Sequence, residues 1–167
     1  MKSSDKFLVG IVAGIGLLVV VAFVLVLTRP EPEYRDDNAP EAIVHNYLLA
    51  LRQGDYERAY QYLSPGLKGY PENAAAFTDD ISSSSRFRLD DQAVTLDTQS
   101  STIRGNIATV SVLETSFSGG DLFSSGNIDR RFDMKLQLEN GAWKLIKGDR
   151  YWSTCWERSP SEASFCW

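Results

Sequence analysis

The sequence predicts an α+β domain that follows an apolar N-terminal helix. Residues 7–27 form a stretch without a charged or polar side chain. Residues 40–81 place apolar side chains at helical spacing, and from residue 94 onward the spacing changes to the period of two that strands show. Helices followed by antiparallel strands define an α+β domain. The composition agrees, because 43% hydrophobic and 23% charged residues are ordinary for a globular protein.

The apolar stretch of residues 7–27 predicts a single-pass transmembrane helix. At about 1.5 Å per residue it spans about 30 Å, the thickness of the hydrocarbon core of a bilayer. The alternative is a cleaved signal peptide, which has a shorter apolar region and a small-x-small cleavage site that this sequence lacks. We therefore expect residues 1–28 to form a cytoplasmic stub and a transmembrane helix. Gly10 and Gly14 have the spacing that permits close helix packing in a membrane.

The basic residues that flank this helix are evenly divided between its two ends. Lys2 and Lys6 precede the apolar stretch, and Arg29 and Arg35 follow it, so the positive-inside rule does not decide. The short N-terminus favours a cell-membrane protein with a cytoplasmic N-terminus and an extracytoplasmic domain. Residues 29–37 contain prolines and acidic residues, and they predict an extended, solvated spacer.

We call the domain that follows the spacer the body. Three helices are predicted at its start. Asn38 can cap the first helix, and Glu41 is placed to close a capping box. Gly54 ends this helix, and Asp55 can cap a second one that runs to about residue 63. A third, weaker helix is predicted over residues 72–81.

Strands follow after residue 94. Residues 94–103 and 107–113 predict two strands separated by a Gly105-Asn106 turn, and residues 116–127 predict a long loop rich in Gly, Ser and Asn. Residues 131–139 alternate between polar and apolar side chains, which is typical of a half-buried strand. Asn140-Gly141 then predicts a tight hairpin that returns through Trp143.

The helix pair YLLALRQGDYERAYQYLSP, the strand GNIATVSV and the hairpin LENGAWKLI resemble the nuclear transport factor 2-like superfamily. The resemblance covers residues 38–152 and is nearest to the SnoaL-like and lumazine-binding-like branch found on bacterial membrane anchors. It implies a cone-shaped domain in which about three helices pack on a curved antiparallel sheet and leave a pocket. Residues 153–167 would form an aromatic, Cys-containing tail. Members of this superfamily catalyse reactions, bind ligands or mediate protein contacts, so the fold does not give the function.

No catalytic constellation can be identified from the sequence. The single histidine, His45, lies at the edge of an apolar helical stripe, where a solvated or structural role is expected, and the residues do not support a zinc site. Glu114 and Asp97 lie at strand ends and could line the mouth of the cone, whereas Asp133 and Glu139 are expected to face solvent. An isomerase-like base would need a buried carboxylate opposite a tyrosine. We expect no metal and no cofactor.

Aromatic residues dominate the remaining candidates for a site. Tyr47, Tyr60, Phe77, Phe87 and Trp143 could line a pocket for a small apolar ligand; the alternative is that they form the core.

The C-terminal tail contains the candidate partner-contact residues Trp152, Trp156 and Trp167. It also contains both cysteines of the chain, Cys155 and Cys166. In an extracytoplasmic body a disulfide between them would fold the tail back onto the sheet or the cone opening and contribute roughly 2–3 kcal/mol. The alternative is two unpaired thiols in a frayed tail.

These features lead to the expectation of a membrane-tethered module that is not an enzyme. It would mediate an interaction or bind a small ligand, as an accessory subunit of a membrane complex. Its partners would be the lipid bilayer and either another membrane protein or a second copy of the chain. Beyond residue 28 the chain carries 15 basic and 21 acidic groups, which argues against nucleic acid. The alternative is an isomerase- or dehydratase-like enzyme that uses a carboxylate in the cone pocket.

Overall fold

The computed structural model describes residues 4–27, 32–36, 38–83, 94–118 and 126–159. The chain forms two compact units, Met1–Glu33 and Tyr34–Trp167. The first unit contains helix α1, Ser4–Leu27, whose side chains between Val9 and Val24 are exposed. Within the described ranges, no helix combines the length and the hydropathy that a membrane span requires, so the predicted transmembrane helix is not supported by the structure.

The second unit begins with the three α-helices that the sequence predicts. They are α2 (Pro40–Gln53), α3 (Tyr56–Gln61) and α4 (Ala74–Ser83), and a 3-10 helix (Thr154–Glu157) follows the last strand. Gly54 ends α2 in the left-handed conformation with a φ of 72°. The Asp55 side chain accepts a hydrogen bond from the Arg58 amide at the start of α3. Both predicted helix boundaries are confirmed.

The start of α2 differs from the prediction. The N-cap residue is Ala39, which makes no side-chain cap. The Asn38 amide instead donates to the Gly141 carbonyl at 2.8 Å. Glu41 Oε1 accepts a hydrogen bond from the Ser101 amide at 3.0 Å. The two side chains predicted for capping are therefore used to attach α2 to the hairpin and to the first strand, because tertiary partners compete with the local cap.

Four antiparallel strands form one sheet in the order β1-β2-β3-β4. They are β1 (Val94–Arg104), β2 (Ile107–Ser118), β3 (Gly126–Glu139) and β4 (Ala142–Gly148). Asn140 and Gly141 both have positive φ, as the predicted hairpin requires. The predicted loop over residues 116–127 is too long, because β2 and β3 continue to pair as far as Ser118 and Gly126. Cross-strand pairing overrides the loop propensity of these residues.

The core lies between the helices and one face of the sheet, which we call the inner face. Alternate residues of the two central strands are buried there, and α2 packs against β1, β2 and β4. The buried residues of the central strands are Ala108, Val110, Val112, Phe132, Met134 and Leu136. This arrangement confirms the α+β class, and it fits the predicted cone fold.

The residues just before α2 contact the body. The Tyr34 hydroxyl donates to Gln53 at 2.8 Å, and the Arg58 guanidinium lies 3.7 Å from the centre of the Tyr34 ring. The Arg35 backbone N–H donates to Oδ1 of the buried Asn46 side chain, and Asn46 Nδ2 donates to the Arg35 carbonyl, both at 2.8 Å. The sequence predicts a solvated spacer here, and it gives no sign that Asn46 would bind the spacer backbone.

Candidate functional site

A buried carboxylate extends the inner face beyond the core. Val110 and Val112 alternate along β2 with outward-facing residues, and Glu114 is the next residue on the same side. The Glu114 residue is only 4% exposed. Because an isolated buried charge is strongly unfavourable, such a group requires charged or hydrogen-bonding partners.

Glu114 has three such partners. Arg150 Nε lies 2.7 Å from its Oε2, and the Tyr151 hydroxyl donates to the same oxygen at 3.1 Å. Arg130 faces Glu114 directly across the β2–β3 pair, and its Nη1 lies 3.8 Å from Oε1. Oε2 is therefore held by two groups, whereas Oε1 accepts no hydrogen bond from any residue in the described ranges.

The chain geometry after β4 places Tyr151 and Arg150 at this carboxylate. Tyr151 has a φ of 53°, a conformation that is strained for a bulky aromatic residue. The buried Tyr47 hydroxyl donates to the Tyr151 carbonyl at 2.7 Å and so stabilises the turn. Strain of this kind tends to occur at functional sites, where the surrounding structure holds it in place.

Burial also governs the protonation of the two tyrosines. Burial and then the negative charge of Glu114 raise the pKa of Tyr151 to about 12. Burial raises the pKa of Tyr47 well above its ordinary value. Both hydroxyls therefore remain protonated donors at neutral pH.

The cluster of Glu114, Tyr151, Arg150 and Arg130 can perform two kinds of chemistry. Glu114 Oε1 can accept a proton or a hydrogen bond from a bound molecule, because its partner in the described residues, Arg130 Nη1, lies 3.8 Å away and makes no hydrogen bond to it. Arg130 supplies a cation that is 54% exposed and can bind an acceptor or an anion. In the described parts of the chain, no group of His, Cys, Asp and Glu side chains could hold a metal ion.

The sequence named Glu114 as a candidate but did not identify its partners. Its position in the buried alternation of β2 was the signal that could have predicted its burial. Asp97, proposed alongside it, is exposed and accepts a hydrogen bond from Gln99. Leu96 is the β1 residue that pairs with Glu114, so Asp97 lies on the opposite side of the sheet.

Among the predicted pocket residues, Tyr47, Phe77 and Trp143 are buried in the core. Tyr60 is half-buried, and its hydroxyl donates to the Pro71 carbonyl at 3.0 Å. Phe87 lies outside the described residues. Tyr47 contacts the Glu114 cluster through the hydrogen bond from its hydroxyl to the Tyr151 carbonyl.

Part of the predicted tail fills the interior of the body. Trp156 is fully buried and stacks on Phe77 with the ring centroids 5.1 Å apart. Trp152 meets Trp156 edge-on at 4.8 Å. The Trp156 indole donates to the Asp80 carboxylate at 2.7 Å. These two tryptophans are therefore packed within the body, while Trp167 lies outside the described residues.

Cys155 lies in the 3-10 helix and is disulfide-bonded. Cys166 is outside the described residues, so the pairing of the two cysteines stays a prediction. Apart from the backbone of α1 and the adjoining residues, no atom lies within 4 Å of the position that a Cβ would occupy at Gly10 or Gly14.

Three other sequence candidates lie away from the cluster. His45 is half-buried on α2, and Asp133 is exposed on β3, as expected. Glu139 was expected to face solvent, but it is half-buried, and its Oε1 accepts a hydrogen bond of 2.6 Å from Ser64. Ser64 and Glu139 line a cleft of about 390 Å³ that also includes Leu67, Lys68, Gln137, Ile146 and Glu157.

No protein-family model and no curated protein match the chain. Several solved structures are similar to it. One is an NTF2-like protein with a cystatin-like fold from Novosphingobium aromaticivorans, with 14% identity, 65% of this chain and 75% of that chain covered, and a TM-score of 0.43. Another is provisionally described as a ketosteroid isomerase from Shewanella frigidimarina, with 16% identity, coverages of 68% and 94%, and a TM-score of 0.43. A third is provisionally described as a hydroxylase from Streptomyces galilaeus, with 14% identity, coverages of 67% and 77%, and a TM-score of 0.40.

The expectation that the chain is not an enzyme is wrong. Chains similar to this one include two that are described as an isomerase and a hydroxylase. That expectation also relied on the absence of a catalytic constellation. The structure nevertheless brings the buried carboxylate of Glu114 together with the hydroxyl of Tyr151.

Proposed function

We propose that the body is a small-ligand-binding domain of the nuclear transport factor 2-like superfamily, with Glu114 at the polar end of its site. The observation that supports this proposal most directly is the buried Glu114 carboxylate, whose Oε2 is held by Arg150 and Tyr151 while Oε1 accepts no hydrogen bond within the described residues. A hydroxyl, enol or amine group of a ligand would donate to Oε1. The core fixes the cluster in advance, because Glu114 belongs to a buried strand and the hydroxyl of Tyr47 holds the Tyr151 turn.

Native mass spectrometry of the full-length chain, extracted in mild detergent, tests this proposal. We expect a small-molecule mass increment on the wild-type chain that is lost in Glu114→Gln. Glu139→Gln is the matched control, since Glu139 contacts Ser64 instead of the cluster, and it should keep the increment. Because Glu114→Gln also breaks an ion pair, Tyr151→Phe provides a milder second variant, which should lower the occupancy.

A bare wild-type chain would contradict ligand binding. An increment that persists in both cluster variants would contradict the site. Co-isolated polypeptides would instead favour an accessory subunit of a complex.

A proton-transfer enzyme is the second candidate, and the geometry of Oε1 favours it. A carboxylate oxygen on an apolar face can accept a proton from carbon, while a nearby cation stabilises the resulting enolate. Conversion of a β,γ-unsaturated cyclic ketone to its conjugated isomer, followed by ultraviolet absorbance, tests this function. We expect turnover by the wild-type chain and Glu139→Gln and a loss of at least about 100-fold in Glu114→Gln. Equal rates in all three proteins would contradict it.

We propose further that α1 attaches the body to a lipid bilayer. The sequence of residues 7–27 is uncharged, and the side chains from Val9 to Val24 are exposed in the structure. The disulfide-bonded Cys155 supports an extracytoplasmic body, because disulfides persist in oxidising compartments. We expect the chain to resist extraction by alkaline carbonate. We also expect protease added to intact cells to digest the body. Release by carbonate or protection from the protease would contradict the attachment or the orientation.

The partners of α1 are a separate proposal, in which Gly10 and Gly14 contact a second copy or another membrane protein. The absence of neighbours near these glycines supports this idea for the described residues. Gly14→Leu should abolish a chemical cross-link made through α1, and Gly16→Leu serves as the matched control. An equal cross-link yield in both variants would contradict the proposal.

A further inference from the structure

The inner face continues past Glu114 as a surface that carries the Arg130 cation and several apolar side chains. Leu96, Glu114 and Arg130 lie opposite one another on three adjacent strands. Val94, Ser116 and Ile128 form the next such row. The two rows share a face because side chains two residues apart on a strand point to the same side. Ile128 is 53% exposed, and Val94 and Leu96 are half-buried.

The charges on this surface do not cancel. Arg150 lies 2.7 Å from Glu114 and offsets its negative charge. Arg130 is farther away, at 3.8 Å, and its side chain is 54% exposed. The neighbouring acid Asp129 binds Thr115, and both of these residues alternate to the opposite face of the sheet. The three charged groups therefore carry a net positive charge, and Arg130 is the more exposed of the two cations, at 54% against 34% for Arg150.

We propose that the ligand of this site is an organic carboxylate with an apolar body, and that Arg130 binds its carboxylate. This inference rests on the proposed function, since it names the ligand class of the same site. A guanidinium offers paired N–H donors that match the two oxygens of a carboxylate. Ile128 lies two residues from Arg130, which places its side chain about 7 Å farther along the strand. An apolar group at that distance from the carboxylate would lie on Ile128, Val94 and Leu96.

Binding of 4-phenylbutyrate and of its neutral amide, 4-phenylbutyramide, tests this inference. The full chain in lipid nanodiscs is titrated with each probe and followed by ligand-observed NMR. The wild-type chain should bind the carboxylate about tenfold more tightly than the amide, which corresponds to one charge-assisted hydrogen bond. Arg130→Gln should remove this preference. Arg131→Gln should keep it, because Arg131 is exposed and alternates to the opposite face.

The outcomes separate the inference from the function on which it rests. If the wild-type chain binds both probes equally and Tyr151→Phe binds neither, the carboxylate preference is overturned and the site stays in place. Equal loss of preference in Arg130→Gln and Arg131→Gln would show a general charge effect and overturn the role of Arg130. If neither probe binds saturably to the wild-type chain, both proposals are contradicted. An unchanged melting curve of Arg130→Gln confirms that this variant is folded.

Discussion

Tyr47 links the core of the body to the candidate site, and Tyr47→Phe tests this link. The Tyr47 side chain is fully buried, and its hydroxyl donates to the Tyr151 carbonyl at 2.7 Å. Phenylalanine keeps the ring, so the substitution leaves no large cavity and removes only the hydroxyl. The buried Tyr151 carbonyl then loses its side-chain donor at a residue with a strained φ of 53°. We expect the free energy of unfolding to fall by about 1–3 kcal/mol, the cost of an unpaired buried polar group.

Urea unfolding of the full chain, followed by tryptophan fluorescence, measures this difference. Tyr60→Phe is the matched control, because the Tyr60 hydroxyl also donates to a backbone carbonyl but the residue is only half-buried. The control should lose about 1 kcal/mol or less. Tyr47→Phe should also weaken ligand binding, although Tyr47 lies behind Tyr151. Equal stability of the two variants, with unchanged ligand binding, would refute the role of the Tyr47–Tyr151 bond.

Three further predictions concern the tail, the alkaline limit of stability and a close backbone contact. Trp156→Ala should lower the free energy of unfolding by about 3–5 kcal/mol, since it removes a fully buried indole, and urea unfolding that shows no loss would contradict the packed tail. Stability should be full below about pH 10 and fall towards pH 12, because the folded chain holds the Tyr151 proton more tightly than the unfolded chain does. Urea midpoints between pH 9 and 12 should fall less steeply in Tyr151→Phe, and an identical slope would count against the raised pKa. Gly69→Ala should cost about 1–3 kcal/mol, because a Cβ would collide with the Cys155 carbonyl and approach the Arg158 carbonyl to 2.8 Å. Gly126→Ala, which has free space, should leave the melting temperature nearly unchanged.

Much of the fold could be predicted from local patterns. The left-handed Gly54, the Asp55 cap and the Asn140-Gly141 hairpin depend on residues close in sequence, and all three are confirmed. The predictions for Asn38 and Glu41 failed because their partners, Gly141 and Ser101, are distant in sequence. A capping pattern contains no information about such competitors.

The candidate site was less predictable for the same reason. Alternation along β2 indicates that Glu114 faces inward, but its burial requires the partners that balance its charge. Tyr151 and Arg150 reach it only because the chain turns after Gly148 through a residue with positive φ, which no local motif signals. Of the aromatic pocket candidates, Tyr47, Phe77 and Trp143 lie in the core, and Tyr60 packs against it. Phe77 belongs to the core because Trp156, from a distant part of the sequence, stacks on its ring.

The central claim is that a small ligand binds on the inner face beside Glu114. Intermolecular nuclear Overhauser effects between 4-phenylbutyrate and the methyl-labelled full chain test this claim most directly. We expect contacts from the phenyl ring to the methyl groups of Leu96 and Ile128. Contacts to Leu67 and Ile146, which line the cleft beside Ser64, would place the ligand elsewhere and contradict binding beside Glu114.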